Sequence, residues 1–572
     1  MPITDYARLV GKSNGNGSSR FKANALTSSK WQQVQGIYPT NRFGYGNYGA
    51  STRKIANAEW KAISGSADED IIYNLPLLRV RSRDLFMGSP ILGGAILTLR
   101  TNAIGDGLVP LPQIDGEFLG MSDDDTAEAN LLAKKEFSLF ADTVECDWNR
   151  RNTFPELTDL AFCNMCISGD VLGTLPMKAR KGSIYDLRIR LIEADRVCNP
   201  SELSPLETTN DGAQKTFGGV ELTPDGEVEA YWVANKHPGW TGYIVSPSIK
   251  YERVPAFGEV TGRPVAMLIS EMERIEQRRG VPLASKCLTE LKQMQRYIES
   301  TTIQNVIKSY FCSFIKSEMP SVDMFDRMLI TEEELTGLYQ KDPYNIRLAP
   351  GIVNWMKPGE EITFPINAGP DPQFEPFIVA LCKFIGGCLG IPYEILLQHF
   401  SASYSASRAA LLAFWKRIKV LRKLIVNQFC QPVYVAWMYE AMSRGIFDDY
   451  PIDGFFDDPR VLQAWVKCSW SGNPQGSIDP LKEIQASQLK VRMGVSTLET
   501  ECLEYNGTDW RAVTRQQGIE VKEATVQNLT YIRNLDTKGQ PILSLGVSDP
   551  SADEGDIAAQ EQQSFGNTGV QE

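Results

Sequence analysis

Side chains able to do chemistry are scarce in this chain. Of its 572 residues two are histidines, His237 in NKHPGW and His399 in LLQHFS, and neither is flanked by a nucleophile motif. Cysteines run from Cys146 to Cys502 with one CxxC, Cys163 and Cys166, and no second pair at zinc-finger spacing. Zinc usually needs four such ligands, so buried reduced thiols acting as small hydrophobes are expected instead. Gly44-Tyr45-Gly46-Asn47-Tyr48-Gly49 spells GxGxxG, but within a Gly/Asn/Tyr-rich stretch rather than between the strand and helix that would cradle a phosphate. Gly11-Lys12-Ser13 matches the last residues of a P-loop, yet Tyr6 stands where its first glycine must fall. Asp123-Asp124-Asp125 and Glu332-Glu333-Glu334 read as solvated charge rather than metal ligands. The sequence therefore assigns no catalytic residue, no metal site and no cofactor.

The strongest anomaly is electrostatic. Between Glu394 and Glu440 there is no acid, while Arg408, Lys416, Arg417, Lys419, Arg422 and Lys423 supply six cations. At about 100° per residue, Leu411, Phe414, Ile418, Leu421, Ile425 and Phe429 share one helical face, and Lys416, Lys419 and Lys423 form a separate stripe. Such a stripe is either a solvated surface or a face turned toward a polyanion or a neighbouring subunit's acids. Composition does not separate these readings.

The elements that would carry these residues follow from periodicity. Residues 1–55 are Gly/Asn/Ser/Tyr-rich and read as a flexible basic arm, with eight Lys/Arg and two acids in the first sixty positions. Helix is expected over 79–99 around a turn at Pro90, and alternation with turn residues predicts strands over 185–254. Pro282 opens about thirty helical residues, to which Phe311 and Phe314 belong. A shorter helix follows near 373, then a long one from 406 to 444 interrupted at Pro432, and more helix over 478–516 with breaks at Gly494 and Gly507. Beyond Lys538 there are six acids and no base, so 546–572 reads as a disordered acidic tail.

Composition bounds the function classes. Hydrophobic residues at 42% and charged residues at 22% suit a globular chain with a real core, and no stretch approaches the ~20 apolar residues of a membrane span. The N-terminus lacks the apolar core of a signal peptide, which predicts synthesis in a cytoplasm. A net charge of -12 argues against tight, indiscriminate DNA binding, because that task needs a basic surface.

Several segments, in order, resemble the lambda-like portal family of tailed bacteriophages. They are Arg81-Ser82-Arg83-Asp84-Leu85, Ser89-Pro90-Ile91, Asn102-Ala103-Ile104-Gly105-Asp106-Gly107-Leu108, Ile192 through Val197, Arg279-Gly280-Val281-Pro282, and Lys357 through Ile362. Most specific are Leu389-Gly390-Ile391-Pro392-Tyr393-Glu394-Ile395-Leu396, Tyr404 through Leu411 with Phe414-Trp415, and Ile478 through Glu483.

The resemblance implies an α+β portal fold assembled as a ring. Its parts would be a mixed wing domain at 56–281, stem helices at 282–315 and 373–391, and a small α/β clip at 316–372. A tunnel loop at 392–407, a long helix with the rest of the wing at 408–477 and a helical crown at 478–545 would complete it. It further implies a non-enzymatic homo-oligomer, a dodecamer in such rings, at a unique capsid vertex of the virion, assembled in the host bacterial cytoplasm. Double-stranded DNA would pass without sequence specificity. The partners implied are the terminase large subunit, major capsid and scaffold proteins, and head-completion or adaptor proteins. Channel candidates are Gln398, His399, Ser401, Ser403, Tyr404 and Ser405. Candidates for DNA or subunit contact are Arg408, Lys416, Lys419 and Lys423, and candidates for docking in the clip are Glu332, Glu333, Glu334 and Asp342. The clip's five Lys/Arg against ten Asp/Glu fit a low-adhesion exit. Another virion ring such as a head–tail adaptor is the nearest alternative. A nuclease or motor enzyme is opposed by the missing P-loop and the two histidines.

Overall fold

A computed structural model describes residues 65–200, 215–239, 249–309, 313–315, 353–355, 373–400, 404–476 and 480–526. The chain divides at Asp70 into two units; the described part of the first is residues 65–70, and everything below concerns the second. Helices of eight or more residues are numbered here.

Leu75–Gly88 (α1) and Pro90–Ala103 (α2) are separated at Ser89, because Pro90 lacks the N–H that would continue the first helix and suits the first turn of the second. Val109–Pro112 (β1) follows, then Asp123–Ala141 (α3), N-capped by Ser122, whose side chain accepts from the Asp125 N–H. The Asp123–Asp125 triplet therefore occupies a helix's first turn, where the macrodipole favours anions. Phe154–Ser168 (α4) begins with a Thr153/Glu156 capping box. It buries Cys163 and Cys166, as expected of apolar thiols.

Asp170–Thr174 (β2) is buried along its whole length and lies between Arg190–Glu193 (β3) and Ala266–Ser270 (β8), antiparallel to both. Lys215–Phe217 (β4), Val220–Leu222 (β5), Val228–Ala234 (β6) and Tyr251–Pro255 (β7) form an antiparallel meander. Its Val220, Leu222, Tyr231 and Val233 make a small second core with Leu172 and Ile192.

Leu288–Ser309 (α5) starts later than Pro282, after a single 3-10 turn at Leu283–Lys286. It also ends sooner than expected. Phe314 lies in Ser313–Ile315 (β9), a strand parallel to Val353–Trp355 (β10). Phe374–Leu389 (α6) returns antiparallel to α5, with Tyr297 stacked on Phe374 at 5.6 Å and edge-on to Phe377 at 4.8 Å.

The long helix Tyr404–Ile425 (α7) runs on through a π turn, Val426–Cys430, into Gln431–Ser443 (α8). The expected break at Pro432 is absent. The widened turn carries the chain past a proline whose ring would collide with the carbonyl four residues back. Phe414, Ile418, Leu421, Ile425 and Phe429 are buried, and Leu411 is half-buried. Beyond the π turn Tyr434 and Trp437 join Phe137 and Trp470 in a core of rings with centroids 5.1–6.2 Å apart. Pro459–Val466 (α9) leads to Cys468–Ser471 (β11), which pairs antiparallel with β1. Pro480–Arg492 (α10), Leu498–Asn506 (α11) and Trp510–Val526 (α12) end the described chain.

Candidate functional site

The basic run of the long helix separates by position into structural and free cations. Arg417 makes a bidentate pair with Glu271, both bonds 2.8 Å, tying α7 to the end of β8. Arg422 donates to the carbonyls of Asn102, Ala103 and Asn473 at 2.9–3.0 Å, so it caps the negative C-terminal end of α2. Burial pushes its guanidinium pKa down. Lys419 meets Glu504 of α11 at 3.1 Å, and Arg408 lies 3.9 Å from Glu483 of α10. Lys416 and Lys423 are exposed and make no ion pair among the described residues. Of the expected three-lysine stripe, Lys419 faces Glu504 of the same chain and stays exposed, while Lys416 and Lys423 have no such neighbour among the described residues.

Upstream of the helix, Tyr393–Leu396 is one helical turn, and Gln398 has left-handed backbone with φ 52°. Gln398 and His399 are exposed beside Phe400. Tyr404 and Ser405, expected in a loop, are the first residues of α7; Ser401 and Ser403 lie outside the described residues. So do Glu332, Glu333, Glu334 and Asp342.

A second cluster went unnoticed in the sequence. Asp170, fully buried at the start of β2, accepts from Arg79 Nη2 at 3.0 Å, from Arg279 Nε at 2.7 Å and Nη2 at 2.9 Å, and from the Gly280 N–H at 2.9 Å. Arg279 also donates to the carbonyls of Ala194, Val197 and Gly218, and Arg79 to that of Ser168. Burial alone would push the Asp170 carboxyl up, but the two guanidiniums outweigh it and hold it below its ordinary range. At Arg79 burial prevails and the pKa falls; at Arg279 the Asp170 charge overcomes burial and the pKa rises. A Cβ on Gly280 would lie 2.0 Å from the Gly169 carbonyl oxygen, and Gly169 itself has φ 92°. Both glycines are required where these segments touch. The signal available in the sequence is a lone charge inside an apolar run, Asp170 in CISGDVLGTL.

Around this hub Asp195 accepts from Arg79 at 3.4 Å and from Arg83, and Arg83 reaches Glu193 at 3.1 Å. Glu193, Asp195 and His237 place ligand atoms within 4.8 Å of one another. A cation does not fit there. His237 Nδ1 accepts the Gly239 N–H, so the proton of a neutral ring sits on Nε2, 3.0 Å from Asp195, and two arginines already satisfy that carboxylate. The group is an ion-pair network.

Segments 79–83, 192–197 and 279–282, distant in sequence, thus converge on one buried centre. Residues 53–422, from before α1 to within α7, match the family described as phage portal protein, lambda family. The chain belongs to that family. Among its portal relatives, portal protein B of Escherichia phage lambda is 23% identical over 489 residues, 82% of this chain and 88% of the relative. The portal protein of Escherichia phage N15 is 22% identical over 504 residues, 85% and 90%. A solved structure titled the neck of an empty GTA particle computed with C6 symmetry aligns at TM-score 0.40 and 14% identity, over 75% of this chain and 93% of that one. The portal family match ends at Arg422, so α8, the rest of the core and helices α10–α12 lie beyond it.

Proposed function

We propose that copies of this chain, twelve in number, close into a ring at one capsid vertex of a phage virion. Double-stranded DNA is packaged and ejected through that ring without catalysis by it. The observation that carries this reading is the family match over residues 53–422. The α5–α6 hairpin would be the stem, residues 316–372 the clip at its tip, and residues 392–407 the channel-facing turn. The long helix would be the wing's spine, and 478–545 the crown. The terminase large subunit and, later, head-completion or adaptor proteins dock on the clip, while capsid and scaffold proteins contact the wing.

The distribution of charge supports a conduit that passes DNA without gripping it. A duplex carries one negative charge per ~1.7 Å, and a ring multiplies every free cation by its copy number. Four of the six cations on the long helix are spent on this chain's own groups, which leaves Lys416 and Lys423. Particle imaging of the purified full chain with symmetry determination tests the reading. Mushroom-shaped rings with a central bore are expected. Monomers alone, or flat discs without a stem, would reject it.

A further inference from the structure

The α5–α6 hairpin is held by side chains that meet in antiparallel register. Tyr297 lies edge-on to Phe377 with ring centroids 4.8 Å apart, and nearer the base the Met294 and Cys382 sulfurs are 4.0 Å apart. From that contact, seven residues back along the chain reach Cys287, just before α5, and six residues on along α6 reach Cys388. At about 1.5 Å per helical residue the two steps are nearly equal, about 10.5 and 9 Å. The register therefore sets these cysteines opposite one another. Their thiols are in fact within hydrogen-bonding reach, and Leu291 and Ile385, both fully buried, fill the seam between this pair and the next.

The two thiols differ in access. Cys287 is buried, whereas Cys388 is half-buried, so a reagent in solution reaches Cys388 first. Burial and the neighbouring Cys388 sulfur push the Cys287 thiol up, which keeps it inert toward solvent. Cys163 and Cys166, by contrast, share one helix, α4, and a bond between them would tie no two elements together.

We propose that Cys287 and Cys388 are an oxidisable pair, which joins the two helices of the hairpin through a disulfide when the chain meets a low-molecular-weight disulfide, oxidised glutathione being the probe. The proposal does not depend on the ring reading above. The Cys388 thiolate attacks one sulfur of the reagent, whose S–S bond breaks, and the first glutathione leaves as a thiolate that takes up a proton. The Cys287 thiolate then attacks the Cys388 sulfur of the mixed disulfide, forming the Cys287–Cys388 bond and expelling the second glutathione. The pair gives up two electrons and two protons, and the reagent gains both. The bond closes a loop over residues 288–387, which restrains the unfolded chain strongly. In a reducing compartment the pair stays open.

The folded full-length chain incubated with oxidised glutathione should lose two hydrogens from its intact mass. Mass spectrometry of the non-reduced digest should then find one linked peptide pair, Cys287 to Cys388, which dithiothreitol opens again. In C287S the reaction should stop with glutathione on Cys388, and in C388S the Cys287 thiol should stay free, an asymmetry that oxidation of unfolded chain does not give. The bridged chain should melt about 5 °C or more above the reduced one. C287S/C388S should melt with the reduced wild type whether or not the oxidant is present. Wild-type chain that keeps glutathione on Cys388 beside a free Cys287, or that takes up no oxidant at all, would overturn the proposal. So would a bridge from either residue to a different cysteine or to a second copy.

Discussion

The buried centre at Asp170 gives the sharpest test of how the wing is held together. In D170N the carboxylate that receives four guanidinium bonds and one backbone N–H loses its charge, and one of its oxygens becomes a donor facing donors. Buried Arg279 loses its ion-pair partner, and buried Arg79 keeps only Asp195 at 3.4 Å. Removing one partner of a buried pair costs about 3–5 kcal/mol, a large part of a domain's net ~5–15. At roughly 2–4 °C per kcal/mol for domains of this scale, the first calorimetric transition should fall by about 10 °C. Hydrogen exchange should show the loss centred on β2 and residues 277–283. The linkage has a definite sign. Because the folded carboxyl titrates below its ordinary value, its stabilisation is complete above the unfolded pKa near 4 and is lost as pH falls through the folded one. D170N should therefore flatten the acid limb of the stability profile. A transition within about 2 °C of wild type, with an unchanged acid limb, would refute the claim that this charge holds the segments together.

Three other outcomes can be measured. G280A should yield little soluble chain or a melting temperature lowered by about 5 °C or more, since its methyl has no room beside the Gly169 carbonyl; wild-type melting would show that the contact relaxes freely. K416E/K423E should reduce DNA-filled particles in a complementation assay while native mass spectrometry shows unchanged rings, whereas K419E should act on the contact with α11. Iodoacetamide labelling at pH 8 followed by peptide mass spectrometry should spare Cys146, whose thiol burial pushes up to about 12, along with Cys166 and Cys430; early alkylation of these would contradict their burial.

The regular parts of the fold were legible because they follow local rules. The α5–α6 hairpin, the meander around 215–255 and the buried face of the long helix are set by apolar spacing and by turn residues, which a sequence displays directly. What escaped was whatever depends on partners far along the chain. The stripe at Lys416, Lys419 and Lys423 looked uniform because residue type does not reveal that Glu504 waits opposite one lysine. The Asp170 hub escapes a local reading because its three charges, Arg79, Asp170 and Arg279, lie about a hundred residues apart along the chain and make sense only together. Phe314 has helical spacing from the apolar residues before it, but pairing with Val353–Trp355, some forty residues away, takes it into a strand instead.

The π turn at Val426–Cys430 has a consequence for how this polypeptide tolerates change in length. Such a turn holds one residue more than the regular spiral needs. Phe429 and Cys430 are wedged into the interior, whereas Asn427 looks out to solvent. Shortening the backbone there by a single position would tighten the spiral and set the Pro432 ring against the carbonyl of Gln428, four residues back. The extra residue is thus not slack to be removed: a proline two places beyond it fixes the length of the rod.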